Sequence, residues 1–394
     1  MNDTKCKIDP SIGIIAILPD DFDGPWMGRQ QIISRIGKYF YTVLINPPHE
    51  WRECWLNTKN RNLDLSTNFI QRDFEQHEST VLTFNSGKWL PIVYKPKILS
   101  IAIQYIRIKL ALRKLKSLGC NRFVLYLTRP GMLADVCLKE FDLICYHIFD
   151  DYSFSETKTV ISPAEKHLIQ ICDIPIFSST LLMSDKGVYN PNSIVIPNGV
   201  DVQLFAKSHR VPEDLLEIPR PIIGYCGIVK KQLDLKLLLK LSEQRKTWSF
   251  VFVGPIFNIR DDEEIVEQLK IQSNTYFLGK KNVEELPAYI KQFDVGLLCY
   301  KNNNYTKYIS PLKLNEYMAA GINIVGTRIP PLIPHESRIY LAELIDEWIS
   351  AIEKALSDDP NNVAMKNDAK ELALEYDWNN IVSKIKDLIL SGLR

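Results

Sequence analysis

Short apolar runs alternate with helical patterns along the whole chain. Six of these runs lie in the first half of the sequence: IGIIAIL, YTVLINP, RFVLYLT, DLICYHIF, IPIFSS and SIVIPNG. Five lie in the second half: PIIGYCG, SFVFVGP, TYFLG, VGLLCY and NIVGT. The runs are nearly continuous in apolar residues, which is typical of strands that are buried on both faces of a parallel sheet. The alternation with helices therefore predicts an α/β fold.

The chain has 394 residues, which is too long for one ordinary core and favours two doubly wound domains. The segment AKSHRVPEDLLEIPRP is polar, contains three prolines and has no clear period, so it predicts a linker. We expect an N-terminal Rossmann-like domain at residues 1–205, a linker at 206–220 and a C-terminal Rossmann-like domain at 221–376. An amphipathic helix is expected at residues 377–394.

Composition and charge exclude several classes of protein. Hydrophobic residues make up 46% of the chain and charged residues 24%, and the net charge is +1. A general nucleic-acid-binding surface is therefore not indicated. None of the eight cysteines forms a C-x-x-C pair, which favours reduced thiols and a cytoplasmic location. The first apolar run predicts a strand rather than a signal peptide, and no run approaches the ~18 residues that span a bilayer.

The segment SIAIQYIRIKLALRKLKSLG, at residues 100–119, contains five cations and no acid. It predicts a surface helix with a basic outer face. The alternative interpretation is a peripheral contact with an anionic membrane leaflet.

Candidate chemistry is concentrated in SPLKLNEYMAAGINIVGT, at residues 310–327. Ser310 is predicted as the N-cap of a helix, with Pro311 at its first position and Gly321 at its end. Lys313 then lies in the first turn, where free N–H groups and the helix dipole favour an anion such as phosphate. Glu316, one turn deeper, is placed to accept hydrogen bonds from sugar hydroxyls. The alternative is an ordinary ion pair between Lys313 and Glu316.

Four segments that follow one another along the chain resemble a known family. They are VIPNGVDVQLF, PIIGYCGIVKKQLDLKLLLKL, WSFVFVGP and the long segment from NTYFLG to NIVGT. These resemble the donor half of glycosyltransferases with the GT-B fold, in particular family 4-type enzymes of bacterial surface polysaccharide synthesis, including those of the teichuronic acid type. WMGRQQIISRI and CYHIFDDYSFS resemble parts of the N-terminal half more weakly.

The resemblance implies two Rossmann-like domains that face a cleft, with the C-terminal helix crossing back to the N-terminal domain. It also implies that the C-terminal domain holds a nucleotide-diphosphate sugar, with Lys313 on the diphosphate and Glu316 on the ribose. The other positions that it assigns to donor binding are Gly227, Lys230, Lys231, Ser310, Pro311 and Leu312.

The acceptor is expected on the N-terminal domain. Asp150 and Asp151 follow a buried strand, and carboxylates at the end of a parallel strand face the ligand side of the sheet. One of them is a candidate general base, and the alternative is that they cap a helix or start a turn. Arg29 is a candidate for binding an anionic acceptor or the donor phosphate. No D-x-D motif stands where a metal-dependent transferase would need it, so we expect no metal and no cofactor.

The predicted function is transfer of a sugar to a glycan or a lipid-linked acceptor, at the inner face of the cytoplasmic membrane. A nucleotide-sugar epimerase of the same fold and a catalytically silent sugar-nucleotide-binding subunit are the alternatives. The family pattern often has a glutamate eight residues before the one that matches Glu316, whereas Tyr308 stands there in this chain. This departure leaves retention or inversion at the sugar open.

Overall fold

The structure is a computed structural model that describes residues 8–20, 22, 27–47, 73–78, 80–86, 90–91, 93–152, 161–357 and 359–394. The chain divides into two compact units. Unit 1 comprises Met1–Pro197 together with Asn379–Arg394, and unit 2 comprises Asn198–Trp378. Because unit 1 includes the end of the chain, unit 2 is an insertion in its sequence.

Unit 1 is built on an eight-stranded sheet with the order β3-β4-β2-β1-β5-β6-β7-β8. Its strands are β1 (Asp9–Ile17), β2 (Phe40–Ile45), β3 (Asp73–Glu78), β4 (Val81–Asn85), β5 (Arg122–Leu127), β6 (Leu143–Ile148), β7 (Ile174–Phe177) and β8 (Ile194–Val195). Only β3 runs antiparallel to its neighbour among these strands. Its described helices are α1 (Gly28–Ile36), α2 (Lys97–Ser117), α3 (Asp135–Leu138), α4 (Pro163–Ile171) and α5 (Thr180–Lys186).

Unit 2 is built on a six-stranded sheet with the order β11-β10-β9-β12-β13-β14, in which every pairing is parallel. Its strands are β9 (Ile222–Cys226), β10 (Ser249–Val253), β11 (Thr275–Gly279), β12 (Val295–Leu298), β13 (Asn323–Thr327) and β14 (Tyr340–Ala342). The helices that follow in the chain are α6 (Val202–Ala206), α7 (Leu235–Gln244), α8 (Glu263–Lys270), α9 (Leu286–Ile290), α10 (Leu312–Ala320), α11 (Ile345–Leu356), α12 (Pro360–Glu375) and α13 (Trp378–Gly392).

All eleven apolar runs of the sequence form strands, and the predicted doubly wound α/β fold is confirmed. The central strands β9 and β10 are buried along their whole length, as continuous apolar runs require. The sequence analysis missed β3, β4 and β14. The first of these is the polar edge strand DFEQHE, and the last has only three residues, so neither shows an apolar run.

The segment at residues 206–220, which we predicted as a linker, lies within unit 2. Leu215 and Ile218 are buried in the hydrophobic core of that unit, beside the strands of its sheet. These two apolar side chains tie the segment to the core although its other residues are mostly polar. Unit 1 ends at Pro197, ahead of the boundary at residue 205 that the sequence predicted.

The amphipathic pattern at the end of the chain forms α13, and its buried side chains include Ile381, Ile385 and Ile389. Most of this helix belongs to unit 1, where Arg122 donates a hydrogen bond to the carbonyl of Leu393. Six of the eight cysteines are described, and each is a free, buried thiol. Within the described part of the chain, no helix is long and apolar enough to cross a membrane.

Candidate functional site

The sheet of unit 2 has a topological switch point between β9 and β12. From β9 the chain adds β10 and β11 on one side and then crosses to β12 on the other side. The pairing of β9 with β12 is short, because it joins only Ile223 to Val295 and Gly224 to Gly296. Beyond this pairing the two strands lead into separate loops. Ligands of open α/β sheets bind at the carboxyl ends of strands at such a point.

Three successive strands end in glycines with a positive φ. Gly227 follows β9 with φ +142°, Gly254 follows β10 with φ +141°, and Gly279 ends β11 with φ +69°. A Cβ atom on Gly254 would lie 2.2 Å from the carbonyl oxygen of Gly227, so the two loops touch through their backbones. Neither loop could approach the other in this way with a side chain between them.

Lys313 lies against the first of these glycines. A Cβ atom on Gly227 would lie 2.1 Å from Lys313 Cε and 2.5 Å from its Nζ. The same ammonium group lies 5.4 Å from the centre of the Tyr225 ring, within the range of a cation–π contact. The structure therefore brings together Gly227 and Lys313, which are 86 positions apart in the sequence.

Tyr317 fixes the helix that presents Lys313. Its hydroxyl accepts a hydrogen bond of 2.9 Å from the backbone N–H of Cys226, at the point where β9 no longer pairs with β12. Its ring packs against Gly296, where a Cβ atom would lie 2.7 Å away, and Phe293 packs in the same way on Gly224. Gly296 therefore allows α10 to approach the sheet closely, and Gly224 does the same for Phe293. The sequence analysis did not identify these two glycines.

Glu316 lies one turn into α10 and is half-buried. Burial of its carboxyl raises the pKa, and the nearby positive charge of Lys313 lowers it in part. Both side chains are described, and no ion pair joins them. The interpretation as an ordinary ion pair at this spacing is therefore not supported.

The start of α10 differs by one residue from the prediction. Pro311 is the N-cap, the helix begins at Leu312, and the first turn has no acidic residue. Because Pro311 has an extended backbone, Ser310 precedes the cap instead of forming it. Ser310, Pro311 and Leu312 are all half-buried.

Two asparagines hold this helix start in place. The side chain of Asn198 donates a hydrogen bond of 2.9 Å to the carbonyl of Ser310, and the side chain of Asn315 donates one of 2.7 Å to the carbonyl of Asn198. Both asparagines are buried, and among the described residues Asn198 Oδ1 has no hydrogen-bond partner. The sequence analysis missed both, although Asn198 lies in the quoted motif VIPNGVDVQLF.

The loop between β9 and α7 contains the remaining predicted donor residues. Lys230 is half-buried, and its carbonyl accepts a hydrogen bond from the N–H of Leu233, while Lys231 is exposed. Asp234 then caps α7 by accepting from the N–H of Leu237. Both lysines thus lie on the turn that begins at Gly227.

The candidate bases in unit 1 have different surroundings. Asp151 is buried and accepts a hydrogen bond of 2.7 Å from Lys186, which also donates to both carboxylate oxygens of Glu165 at 2.9 Å. Lys186 is only 2% exposed, so this is a buried ion cluster. Asp150 is half-buried and takes no part in the three hydrogen bonds of this cluster. The cluster gives Asp151 a structural role that the sequence analysis did not foresee.

The charges that act on Tyr152 show which groups lie near Asp150. Burial raises the pKa of the Tyr152 phenol, as does the Asp150 carboxylate, whereas the guanidinium groups of Arg29 and Arg129 lower it. Arg29 forms an ion pair of 2.5 Å with Asp20, and its Nε is buried without a hydrogen-bond partner in the described parts of the chain. Residues from the ends of β1, β5 and β6 therefore meet at the carboxyl edge of this sheet.

Comparisons with known proteins agree with this arrangement. The family model for glycosyl transferases group 1 matches residues 220–358, which include β9, α10 and the three glycines at the ends of β9, β10 and β11. A putative teichuronic acid biosynthesis glycosyltransferase, TuaH of Bacillus subtilis strain 168, is 26% identical over 325 residues, with 77% of this chain and 78% of that protein covered.

Solved structures show the same fold at low sequence identity. A glycosyltransferase from Rickettsia africae matches with a TM-score of 0.70 and 12% identity, over 98% of this chain and 99% of that one. HepE of Anabaena, solved in complex with UDP-glucose, matches with a TM-score of 0.67 and 13% identity, over 96% of this chain and 99% of that one. The fold is that of the GT-B enzymes. With its group 1 domain at residues 220–358, the chain is a glycosyltransferase.

Proposed function

We propose that this glycosyltransferase moves a sugar from a UDP-linked donor to a glycan or a lipid-linked acceptor in bacterial surface polysaccharide synthesis. The observation that supports this best is the position of Lys313, with its ammonium group on Gly227 at the switch point of unit 2. Two relatives point the same way, since one is named for teichuronic acid biosynthesis and another was solved with UDP-glucose.

In this proposal the donor lies at the start of α10. Lys313 binds the diphosphate, where the positive end of the helix and the absence of acids in its first turn also favour an anion. Glu316 binds the ribose hydroxyls. Backbone groups of the segment at residues 310–312 and the turn after Gly227, with Lys230 or Lys231, complete the binding of the phosphates.

We propose Asp150 as the general base. Asp151 is already bound by Lys186 in a buried cluster, and a carboxylate in such a pair is poorly placed to accept a proton from an acceptor. Arg29 and Arg129 lie in the same electrostatic surroundings as Asp150 and would favour an acceptor with an anionic group. Lys313 and the helix start supply the charge stabilisation of the leaving diphosphate, without a metal or a cofactor.

Thermal unfolding with a panel of nucleotide sugars tests the donor. A true donor stabilises the folded chain by mass action. One UDP-sugar should therefore raise the Tm more than free sugars without a nucleotide, and more than GDP-sugars. Consumption of that donor in the presence of acceptor lipids or glycans then tests the transfer. A chain that binds UDP but consumes no UDP-sugar under any of these conditions would contradict the proposal.

Substitution of the two aspartates tests the base. Asp150→Asn should abolish most turnover and leave the donor-dependent rise in Tm intact, because the proposed role is confined to the acceptor proton. Asp151→Asn should instead lower the Tm without donor, because it alters the buried cluster with Lys186. Full turnover in Asp150→Asn would remove that residue from the mechanism.

A lipid-linked acceptor places the enzyme at a membrane surface. We therefore propose a peripheral contact with an anionic membrane.

A further inference from the structure

The outward face of α2 has two chemically different halves. At spacings of three or four residues, six positions follow one face of the helix over its length. They are Ile98, Ala102, Ile106, Lys109, Arg113 and Lys116, which we name the α2 stripe. Its first three residues are apolar and its last three are basic. The opposite face packs into unit 1 through Ile108, Ala111, Leu112 and Leu115.

The apolar half of the stripe is open to solvent. Ile98 is 83% exposed and Ile106 45%, and next to them Leu99 is 46% and Tyr94 67% exposed. Ile98 and Ile106 are separated by about 12 Å at 1.5 Å per residue, with the exposed Ala102 between them on the same face, and Leu99 follows Ile98 directly. Large apolar side chains grouped in this way on a surface mark an interaction site.

The sequence segment around the stripe contains charged residues of a single sign. Residues 79–134 contain ten lysines and arginines and no aspartate or glutamate, in a chain whose net charge is only +1. Some of these cations are used within the fold, since Lys109 pairs with Glu140 at 2.6 Å and Arg107 donates to the carbonyl of Asn46. Lys95, Lys97 and Arg113 are exposed. The basic face predicted from the sequence therefore exists in part.

We propose that the α2 stripe docks on an anionic lipid bilayer, with the apolar half in the headgroup region and the basic half along the lipid phosphates. This rests on the proposed membrane contact and assigns it to a surface. A helix with one apolar part and flanking cations binds an anionic interface in this orientation. Tyr94, with an amphipathic ring, suits the boundary between headgroups and lipid chains.

Other occupants fit the surface less well. In a symmetric dimer the stripe would face its own copy, so that its basic half would lie against either the same cations or the apolar half of the second copy, and neither arrangement matches both halves. A nucleic acid would pair with the cations, but it would leave the exposed side chains of Ile98 and Leu99 without a matching surface. A bilayer with anionic lipids satisfies both halves at once.

Flotation with lipid vesicles tests the proposal on the full chain. Vesicles of equal parts phosphatidylglycerol and phosphatidylcholine should bind the protein, vesicles of phosphatidylcholine alone should bind it much less, and added salt should weaken the first binding. Arg113→Glu with Lys116→Glu, at two exposed positions of the basic half, should reduce the binding by at least about fivefold for each residue. Ile98→Ser with Leu99→Ser should reduce it by at least about tenfold, also at low salt.

A matched control is available on unit 2, where Ile271 is 80% exposed at the end of α8. Ile271→Ser should bind vesicles as the unaltered chain does. The rise in Tm with a UDP-sugar should persist in every variant, because the stripe lies in unit 1 and the proposed donor residues in unit 2. This readout also separates the two proposals: vesicle binding can fail while donor binding holds, and the reverse.

Three results would overturn the proposal. The first is the absence of binding to phosphatidylglycerol vesicles at low salt. The second is binding by the Ile98 and Leu99 variant that equals that of the Ile271→Ser control. The third is a dimer in solution that the same substitutions dissociate, since this would show that a second copy covers the stripe.

Discussion

Gly227 and Lys313 constrain each other at the scale of single residues. The glycine has a φ of +142°, which L side chains rarely adopt, and the lysine occupies the space where a side chain at Gly227 would lie. The ammonium group of Lys313 thus lies directly beside the backbone of the turn at Gly227. Because the two residues are in contact, the role of Lys313 in donor binding can be tested by substituting Gly227 instead of the lysine.

Gly227→Ala should displace Lys313 and weaken UDP binding by about ten- to hundredfold, the equivalent of one charge-assisted contact. The folded chain should also lose about 1–3 kcal/mol of stability through backbone strain. Calorimetric titration with UDP measures the first effect, and urea unfolding measures the second.

Gly279→Ala is the control for backbone strain. Its φ is also positive, at +69°, but no atom lies within 4 Å of the added Cβ. It should lose stability without a comparable loss of UDP affinity. Equal affinities in the two variants would show that the contact between Gly227 and Lys313 has no role in donor binding.

Lys186→Met should destabilise the chain by about 3–5 kcal/mol, because it leaves the buried carboxylates of Asp151 and Glu165 without their cation. Lys109→Met removes a lysine from an ion pair at the surface and should change little. Urea unfolding of both variants measures the difference. If the two lysines proved equally dispensable, the buried cluster would not be stabilising.

His147 makes the stability of unit 1 sensitive to acid. Burial lowers its pKa from 6.5 to about 3, and its Nδ1 lies 2.6 Å from the hydroxyl of Tyr126. Below pH 6.5 the unfolded chain takes up a proton that the folded chain does not. The free energy of unfolding should therefore fall by about 1.4 kcal/mol per pH unit as the pH drops towards 3.

Urea unfolding between pH 7.5 and pH 5.5 (about one unit on each side of the ordinary histidine pKa) checks this expectation. His147→Asn should be less stable at neutral pH but should lose the part of the pH slope that comes from the histidine. An unchanged slope in this variant would mean that other groups cause it.

The helix α10 shows at the scale of elements how a short segment is oriented. Tyr317 fixes its inner face to the backbone of Cys226, and Asn198 and Asn315 fix its start. The helix has only nine residues, and its N-cap Pro311 makes no side-chain cap bond. Its position therefore depends on these tertiary hydrogen bonds more than on its own helical tendency.

Asn315→Ala should cost about 1–3 kcal/mol and should also weaken UDP binding, because it removes the bond to the carbonyl of Asn198 that positions the helix start. Asn323→Ala removes a similar bond to the carbonyl of Ala355, beyond the C-terminal end of α10 and away from its start. It should lose stability alone. A loss of UDP affinity of the same size in both variants would contradict a positioning role for Asn315.

The elements were largely predictable from the sequence, and their long-range contacts were not. Continuous apolar runs identified β9 and β10 because burial on both faces leaves a local pattern. The ion cluster of Asp151 with Lys186 leaves no such pattern, because its partners are 35 positions apart and meet only in the folded unit. The pattern at the start of the helix and the resemblance both indicated Lys313. The glycines on which Phe293 and Tyr317 pack, Gly224 and Gly296, became visible only in the structure.

The two units differ in continuity at the scale of the whole molecule. Unit 2 is a single stretch of chain, whereas unit 1 is completed by residues that follow unit 2 in the sequence. The apolar side of α13 is buried in unit 1, and Gly392 near its end packs closely on Leu143 and Ile174. The stability of unit 1 therefore depends on this last helix.

Ile385→Asp with Ile389→Asp should unfold unit 1 at a lower urea concentration, because it places two charges in a buried face. The transition of unit 2 and the rise in Tm with UDP should be retained. Hydrogen exchange by mass spectrometry resolves peptides of the two units. Leu374→Asp, at an exposed position of α12, is the control, and equal effects of the two changes would refute the dependence.

The interrupted sequence of unit 1 also has a consequence for biosynthesis. A ribosome synthesises residues 1–197 and then the whole of unit 2 before it reaches residues 379–394. Until then the nascent N-terminal sheet lacks α13, and the apolar surface formed by Leu143 and Ile174 is uncovered. The unit that is begun first therefore receives its last element after all of unit 2 has been synthesised. We expect the N-terminal half to need chaperones most during this interval.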